Sequence, residues 1–580
     1  MSLEEIKARL KAVSNTEKSF LIQINDLYLG ELNSDEKILQ EALIELHNSG
    51  DIDIVNIISG VEKCVNENEF FTVLYAFENT LPWLDADIED VLHCLVHIKK
   101  QVGIDLAFSG GYGAYQRFCS MKAHRPEESV RFILDQTELS VFAPFLSSSI
   151  LSLGSARVPE AIQVTESLIG NENDTVRRQA YFTLGKLDVD ETQAGTIWGL
   201  LSASVNSEHD SSCCAAILEA TIYFGQTFPS YWPQIEDLLS VLFEVIHSEV
   251  LYVTSNIVAF QRVEFPESVL KLLLKKFANV SPEHKGTIDN IDHLLVNLVR
   301  RGTSSLAVEL LESMLVIGVK VTAFDYFSNV LLRDHQDLLN HITTKWLLSG
   351  TPSLCRAVHD LLHEGTGKDI ALKAEMELLD NELKQEFVSH KAVGWLFTRP
   401  SAATSFILSI YDAASANTCK QLEQVLYDPL LLSYPGELKQ FFQSRINKGV
   451  QGKLCERLLG RLQDYHAALE KVSELKELLA PSENVRAFWK ESNKDMQAAY
   501  EKASKSSYIS QIATTQRLLY GNSSIYYVHQ GDGNQVRQEM KMQSFSHSTE
   551  MPRLNVLDPE YLDYTLRVYR YGRMKNEVDS

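Results

Sequence analysis

Apolar residues recur along most of this chain at intervals of three and four. Ile38, Leu39, Ala42, Leu43 and Leu46 make one stripe, and Val91, Leu92, Leu95, Val96 and Ile98 make another. That spacing is one face of an α-helix. The segments between stripes are short and hold Gly, Pro, Ser, Asp or Asn, the residues that stop and start helices. Pro159, Pro266, Pro282 and Pro352 each stand where a first helical turn would begin. Proline is tolerated there because that position needs no backbone N–H. At about twenty residues per helix plus connection, residues 1–450 hold roughly twenty-two helices. The period-two alternation of strands is almost absent over the same span.

Residues 159–225 add a longer period. The pattern predicts helices over Pro159–Ile169, Thr175–Leu187, Thr192–Val205 and Asp210–Phe224, with Asp174 capping the second. Leu184-Gly185 and Phe224-Gly225 lie about 40 residues apart, and Asp174 and Asp210 about 36, the rhythm of stacked helical hairpins. The string Asp174-Thr175-Val176-Arg177-Arg178-Gln179-Ala180, followed by Leu184-Gly185 and Leu187, resembles the second helix of a HEAT repeat. The resemblance implies that Asp174 closes the turn between paired helices. It also implies that Arg177 or Arg178 reaches an acidic turn of a neighbouring unit. The second unit departs from the pattern, with Ser212-Cys213 in place of a Val-Arg pair. One helix pair cannot bury its apolar face alone, and neighbours bury it for each other. The small residues Ala180, Gly185, Ala215, Ala216 and Ala220 permit close approach. The expected fold is all-α: a divergent right-handed α-solenoid of HEAT- or armadillo-like hairpins with a small C-terminal β-containing appendage.

The texture changes beyond Gly449. Residues 451–480 and Asn484–Tyr520 read as two long helices, a hairpin able to close the last apolar face of a stack. Ser523–Gln530 is rich in β-formers, Gly531-Asp532-Gly533-Asn534 is a turn, and Gln535–Ser548 is the returning strand. Tyr564–Arg573 is predicted as a third strand, with Tyr564, Leu566 and Val568 on one face. The predicted divisions are therefore 1–449, an acidic solenoid; 450–521, a helical cap; and 522–580, a tail built on a β-hairpin.

Charge sharpens this division. Of a formal net charge of −23, residues 1–449 carry −24 and residues 450–580 carry +1. The long acidic part would repel a phosphate backbone and suits basic protein partners. The eight cysteines contain no CxxC pair. They read as reduced, small apolar core residues of a cytoplasmic protein. The chain opens without a segment of signal-peptide type and holds no run of about 18 apolar residues.

Candidate chemistry is sparse. His359 and His363 stand four apart, and Glu382 follows at a spacing resembling the third zinc ligand of gluzincin metalloproteases. That family places Glu beside the first histidine as general base, and this chain has Asp360. The plainer reading is an exposed helix end carrying histidines near its C-terminus. His93 and His97 likewise read as helix histidines. Gly365-Thr366-Gly367-Lys368 lacks the leading glycine of a phosphate loop and is followed by Asp369. Ser109-Gly110-Gly111-Tyr112-Gly113 is flexible in composition and follows no strand, which argues against a dinucleotide turn. The tail residues Arg567, Tyr569, Arg570, Tyr571 and Arg573 interleave cations with aromatics, a composition of binding hot spots. Three roles stay open for them: packing on the same chain, a protein partner, or bases and phosphates of a single strand.

These features predict a non-enzymatic scaffold or adaptor without a cofactor. It would be one subunit of a cytoplasmic multi-protein complex, such as a bacterial one, and bind through the solenoid surface and the tail. The alternatives are a degenerate zinc hydrolase at His359, His363 and Glu382, and a nucleic-acid-associated factor using Arg567, Arg570 and Arg573.

Overall fold

A computed structural model describes the whole chain apart from residues 1, 15, 32–36, 64–66, 104–108, 245–246, 365–369, 448, 472–481, 507–512, 519–522, 530–534, 542–549 and 575–580. The described residues form an all-helical protein with one small sheet. They fall into two compact units, 1–273 and 274–574.

The first unit holds α1 (Leu3–Val13), α2 (Glu17–Glu31), α3 (Ile38–Asn48), α4 (Ile54–Ser59), α5 (Glu67–Thr80), α6 (Ile88–Val102), α7 (Ser109–Ser120) and α8 (Arg125–Leu134). It continues with α9 (Leu139–Phe142), α10 (Leu146–Gly154), α11 (Val158–Ile169), α12 (Asp174–Leu184), α13 (Glu191–Val205), α14 (Ser211–Thr227), α15 (Trp232–Leu242) and α16 (Ser248–Phe260). The unit boundary falls inside α17 (Glu267–Phe277). Helices α7, α10, α12, α14 and α16 pack each on the next, and α8, α11, α13 and α15 flank that row. The stripes read from sequence are the buried ones: Leu39, Ala42, Leu43 and Leu46 on α3, and Val91, Leu92, Leu95, Val96 and Ile98 on α6. Ser109–Gly113, read as flexible, instead forms the first turn of α7.

The second unit comprises α18 (Lys285–Arg300), α19 (Ser304–Val316), α20 (Asp325–Asp334), α21 (Gln336–Ser349), α22 (Pro352–Glu364), α23 (Glu382–Leu396), α24 (Pro400–Tyr411), α25 (Ala416–Val425), α26 (Pro435–Gln443), α27 (Gly449–Lys471) and α28 (Ser482–Ser506). Three strands follow, β1 (Ala513–Leu518), β2 (Ser523–His529) and β3 (Gln535–Lys541), then α29 (Leu554–Leu557) and α30 (Pro559–Tyr571). The strands form one antiparallel sheet in the order β1-β2-β3, with Tyr526 opposite Gln516 and Gln538. The predicted hairpin is thus β2 and β3; its turn lies outside the described residues.

Two tail elements differ from the pattern-based expectation. The long helix predicted to reach Tyr520 ends at Ser506, and Ala513–Leu518 is the third strand instead. Its Thr514-Thr515 pair is β-branched, and a marginal two-stranded ribbon gains from a third strand. Tyr564–Arg573, predicted as a strand, lies mostly in helix α30. The Asp558 carboxylate accepts the Tyr561 N–H at 3.1 Å, and Pro559 occupies the first turn. Leu562 and Leu566, four apart, are the buried positions, so the helical period prevails over the alternation of Tyr564, Leu566 and Val568.

The described cysteines, all but Cys64, are free thiols, and every one except the half-buried Cys419 is buried. Burial pushes the Cys94, Cys119 and Cys355 thiols up to about 12, so they behave as apolar core atoms. No helix among the described residues is long and apolar enough to cross a membrane.

Candidate binding groove

A concave site lies in the first unit, and the packing of α12 on α14 builds it. Asn173, one residue before the expected cap, accepts the N–H groups of Thr175 and Val176 at 2.9 and 3.3 Å. Asp174 is the first helical residue and accepts Thr175 N–H at 2.6 Å. Asp210, read from the sequence as the first residue of its helix, instead caps α14, accepting from Ser212 and Cys213, each at 3.0 Å. The cation expected to reach the neighbouring unit is Arg177. Its Nε and Nη2 donate to the two Glu208 oxygens at 2.9 and 3.1 Å. Glu208 stands in the turn between α13 and α14, and its side chain is 6% exposed. Burial pushes this carboxyl up; the Arg177 guanidinium and the Asp210 N–H outweigh that and hold it below the usual carboxylate range. A methyl group on Gly185 would sit 2.5 Å from Ala220 Cα, so the absence of a side chain sets the α12–α14 distance.

The row α7, α10, α12, α14 and α16 leaves a groove of about 520 Å³ along its surface, with α6 contributing Lys99 at one side. Arg178 and Phe182 project into it from α12, opposite the buried Val176 and Ala180, and Lys186 follows just past the end of that helix. Glu219 enters from α14 and Glu249 from α16. The Lys186 ammonium lies 3.9 Å from the Phe182 ring centroid, and the Lys99 ammonium 5.7 Å from that of Tyr112.

The acids and cations of the groove differ in how far they are satisfied. Glu249 accepts from the Ser211 hydroxyl at 3.1 Å. Burial raises the Glu219 carboxyl above its ordinary range, only partly offset by Lys186. Among the described residues Arg178 makes no ion pair or side-chain hydrogen bond. The groove therefore offers aromatic surface beside an uncommitted guanidinium, a combination suited to an apolar residue next to a carboxylate.

The five tail residues belong to the second unit, where α30 packs on α23. Lys391, 1% exposed, donates its ammonium to the carbonyls of Arg570 at 2.5 Å and Gly572 at 2.8 Å. The Arg570 Nε donates to Gly394 O at 2.5 Å, and Tyr569 stacks on His390 at 4.4 Å. A side chain at Gly394 would strike the backbone of Tyr569 and Arg570. Two of the five residues are thus committed to their own chain. Arg567 pairs with Asp563 on the exposed face, and Tyr571 and Arg573 are also exposed. The sequence offered no signal for Lys391, a lone lysine far from its acceptors.

The remaining motifs are accounted for individually. His359 meets Asp360 at 2.9 Å through Nδ1 and the Thr398 hydroxyl at 3.3 Å through Nε2, and it is half-buried rather than at an exposed helix end. Glu382 opens α23 behind its Asn381 cap, and the His363 side chain lies outside the described residues. Among the described residues no three His, Cys, Asp or Glu side chains gather as a metal-binding group. His97 meets Val61 O at 2.7 Å, and His93 packs on the edges of Phe132 and Phe142. Gly365–Lys368 lies outside the described residues. No protein-family model and no curated protein matches this chain.

Proposed function

We propose that the protein is a non-enzymatic scaffold or adaptor of a cytoplasmic multi-protein complex, whose first unit holds an extended segment of a partner protein. In this reading the helix pairs stack as a right-handed, HEAT-like row, and binding rests on shape and charge complementarity rather than on bond chemistry. The observation that carries it is the groove: five successive helices of one row line it, with Phe182 and Tyr112 as apolar surface and Arg178 unpaired. The partner segment is extended, with an apolar residue beside Asp or Glu: the cations Lys99, Arg178 and Lys186 outnumber Glu219 and Glu249 in the groove, which reverses locally the basic partner that the net charge of residues 1–449 suggests. The exposed tail residues Arg567, Tyr571 and Arg573 supply a second protein–protein contact, separate from the groove.

Selection of a random peptide library against the full chain tests this. The reading predicts acidic peptides with at least one large apolar residue. Arg178→Glu is expected to weaken them about 10- to 100-fold, the worth of a charge-assisted hydrogen bond turned to repulsion. Peptides without acidic preference, or indifferent to Arg178→Glu, would count against it.

A further inference from the structure

Helix α30 is amphipathic on two sides. Leu562 and Leu566 are buried, and Tyr569 and Arg570 dock on α23. The opposite side carries Tyr561, Tyr564, Val568 and Tyr571, which are 41, 69, 46 and 56% exposed. Their spacings of three, four and three are those of a helix-pairing seam. The seam is held in place before any partner arrives. The Tyr561 hydroxyl donates to Asp428 at 3.0 Å, and the Tyr571 ring meets Trp395 edge-on at 6.0 Å. Docking of the buried side on α23 fixes which side faces outward.

The charges beside the seam identify the occupant. The first half of the helix carries Glu560 and Asp563, and Arg567 and Arg573 follow in and just beyond the second half; all four are exposed. Asp563 and Arg567 also pair with each other at 3.0 Å, but at 61 and 70% exposure that bond is weak. A helix acidic at its start and basic at its end complements a copy of itself running in the opposite direction. An antiparallel pair related by a two-fold axis repeats each attraction twice.

We propose that α30 pairs antiparallel with α30 of a second copy of this chain, burying Tyr561, Tyr564, Val568 and Tyr571 between the two. A seam about 15 Å long covers only a fraction of the roughly 800 Å² per partner of a standard interface, so the dimer is weak and concentration-dependent.

Sedimentation equilibrium on the full chain tests this from about 1 to 200 µM, a range bracketing a dissociation constant of tens of micromolar. The expected result is a monomer–dimer equilibrium that Tyr564→Glu with Val568→Glu abolishes, while circular dichroism and melting temperature stay unchanged. A second arm uses charge. A copy with Glu560→Arg and Asp563→Arg, and one with Arg567→Glu and Arg573→Glu, are each expected to be monomeric alone. Mixed in equal amounts, they are expected to form a heterodimer. A chain monomeric throughout the range, a dimer insensitive to the Tyr564 and Val568 changes, or reversed copies that do not combine would overturn the proposal.

Discussion

Arg177 and Lys391 do similar physical work in the two units, over very different stretches of chain. Each is a long cation that reaches out of its own helix to satisfy oxygens at the edge of another element. Arg177 spans 31 residues of sequence to Glu208, and Lys391 spans 179 to the Arg570 carbonyl. The first joins neighbours in one helical row, so its loop-closure cost is met by local packing. The second holds the last helix to a distant one and closes only after most of the second unit exists. The row around α12 should therefore open as one cooperative block, whereas α30 can detach with α23 intact.

Four changes test that contrast. The largest effect is expected from Arg177→Ala, which leaves the buried Glu208 carboxylate unpaired. A loss of about 3 kcal/mol is predicted, read from denaturant unfolding of the full chain. The lowered Glu208 pKa makes the folded chain give up its proton more readily than the unfolded chain. The pair therefore contributes fully at neutral pH, and the contribution fades as pH falls through the acid range. The difference between wild type and Arg177→Ala should shrink in acid.

Gly185→Val comes next, at about 2 kcal/mol, because its side chain must displace Ala220. Lys391→Met is expected to cost about 1–2 kcal/mol, and locally. The carbonyls of Arg570 and Gly572 lose their donor, so amide exchange should quicken in α30 while α12 and α14 keep their protection. Equal loss in both places would erase the distinction between the regions.

The one change expected to stabilise is at Glu78, a buried acid whose Oε1 has no hydrogen-bond partner among the described residues. Burial raises its carboxyl from 4.5 to about 7. Between these values the folded chain keeps a proton that the unfolded chain has released, so stability falls as pH rises through that window. Glu78→Gln should stabilise the chain at pH 8, read as a higher melting temperature, and make no difference below the lower value.

The same distances explain what could be read from the sequence. The helix pair around α12, the reach of Arg177 and the closeness at Gly185 all depend on residues within one 40-residue period, where spacing carries the signal. The Asp174 cap missed by one residue because Asn173 competes for the same orphan N–H groups. The groove was harder to see. Arg178 and Phe182 on α12, and Lys186 just beyond it, are simply the non-core side of that helix until α14 and α16 stand beside it. At α30 the tyrosines and arginines satisfy a strand pattern and a helix pattern alike. What decides between them is the Asp558 cap and the burial of Leu562 and Leu566 against the rest of the unit. Lys391 gave no warning, since nothing local marks a lysine as a buried donor to carbonyls 179 residues away.

The central claim is that the groove along α7, α10, α12, α14 and α16 holds an acidic, extended peptide. Amide exchange of the full chain with a selected peptide bound tests it most directly. The account predicts slowed exchange in the helices that line the groove, absent when Arg178→Glu chain is used. Protection elsewhere, with those helices unchanged in both chains, would contradict it.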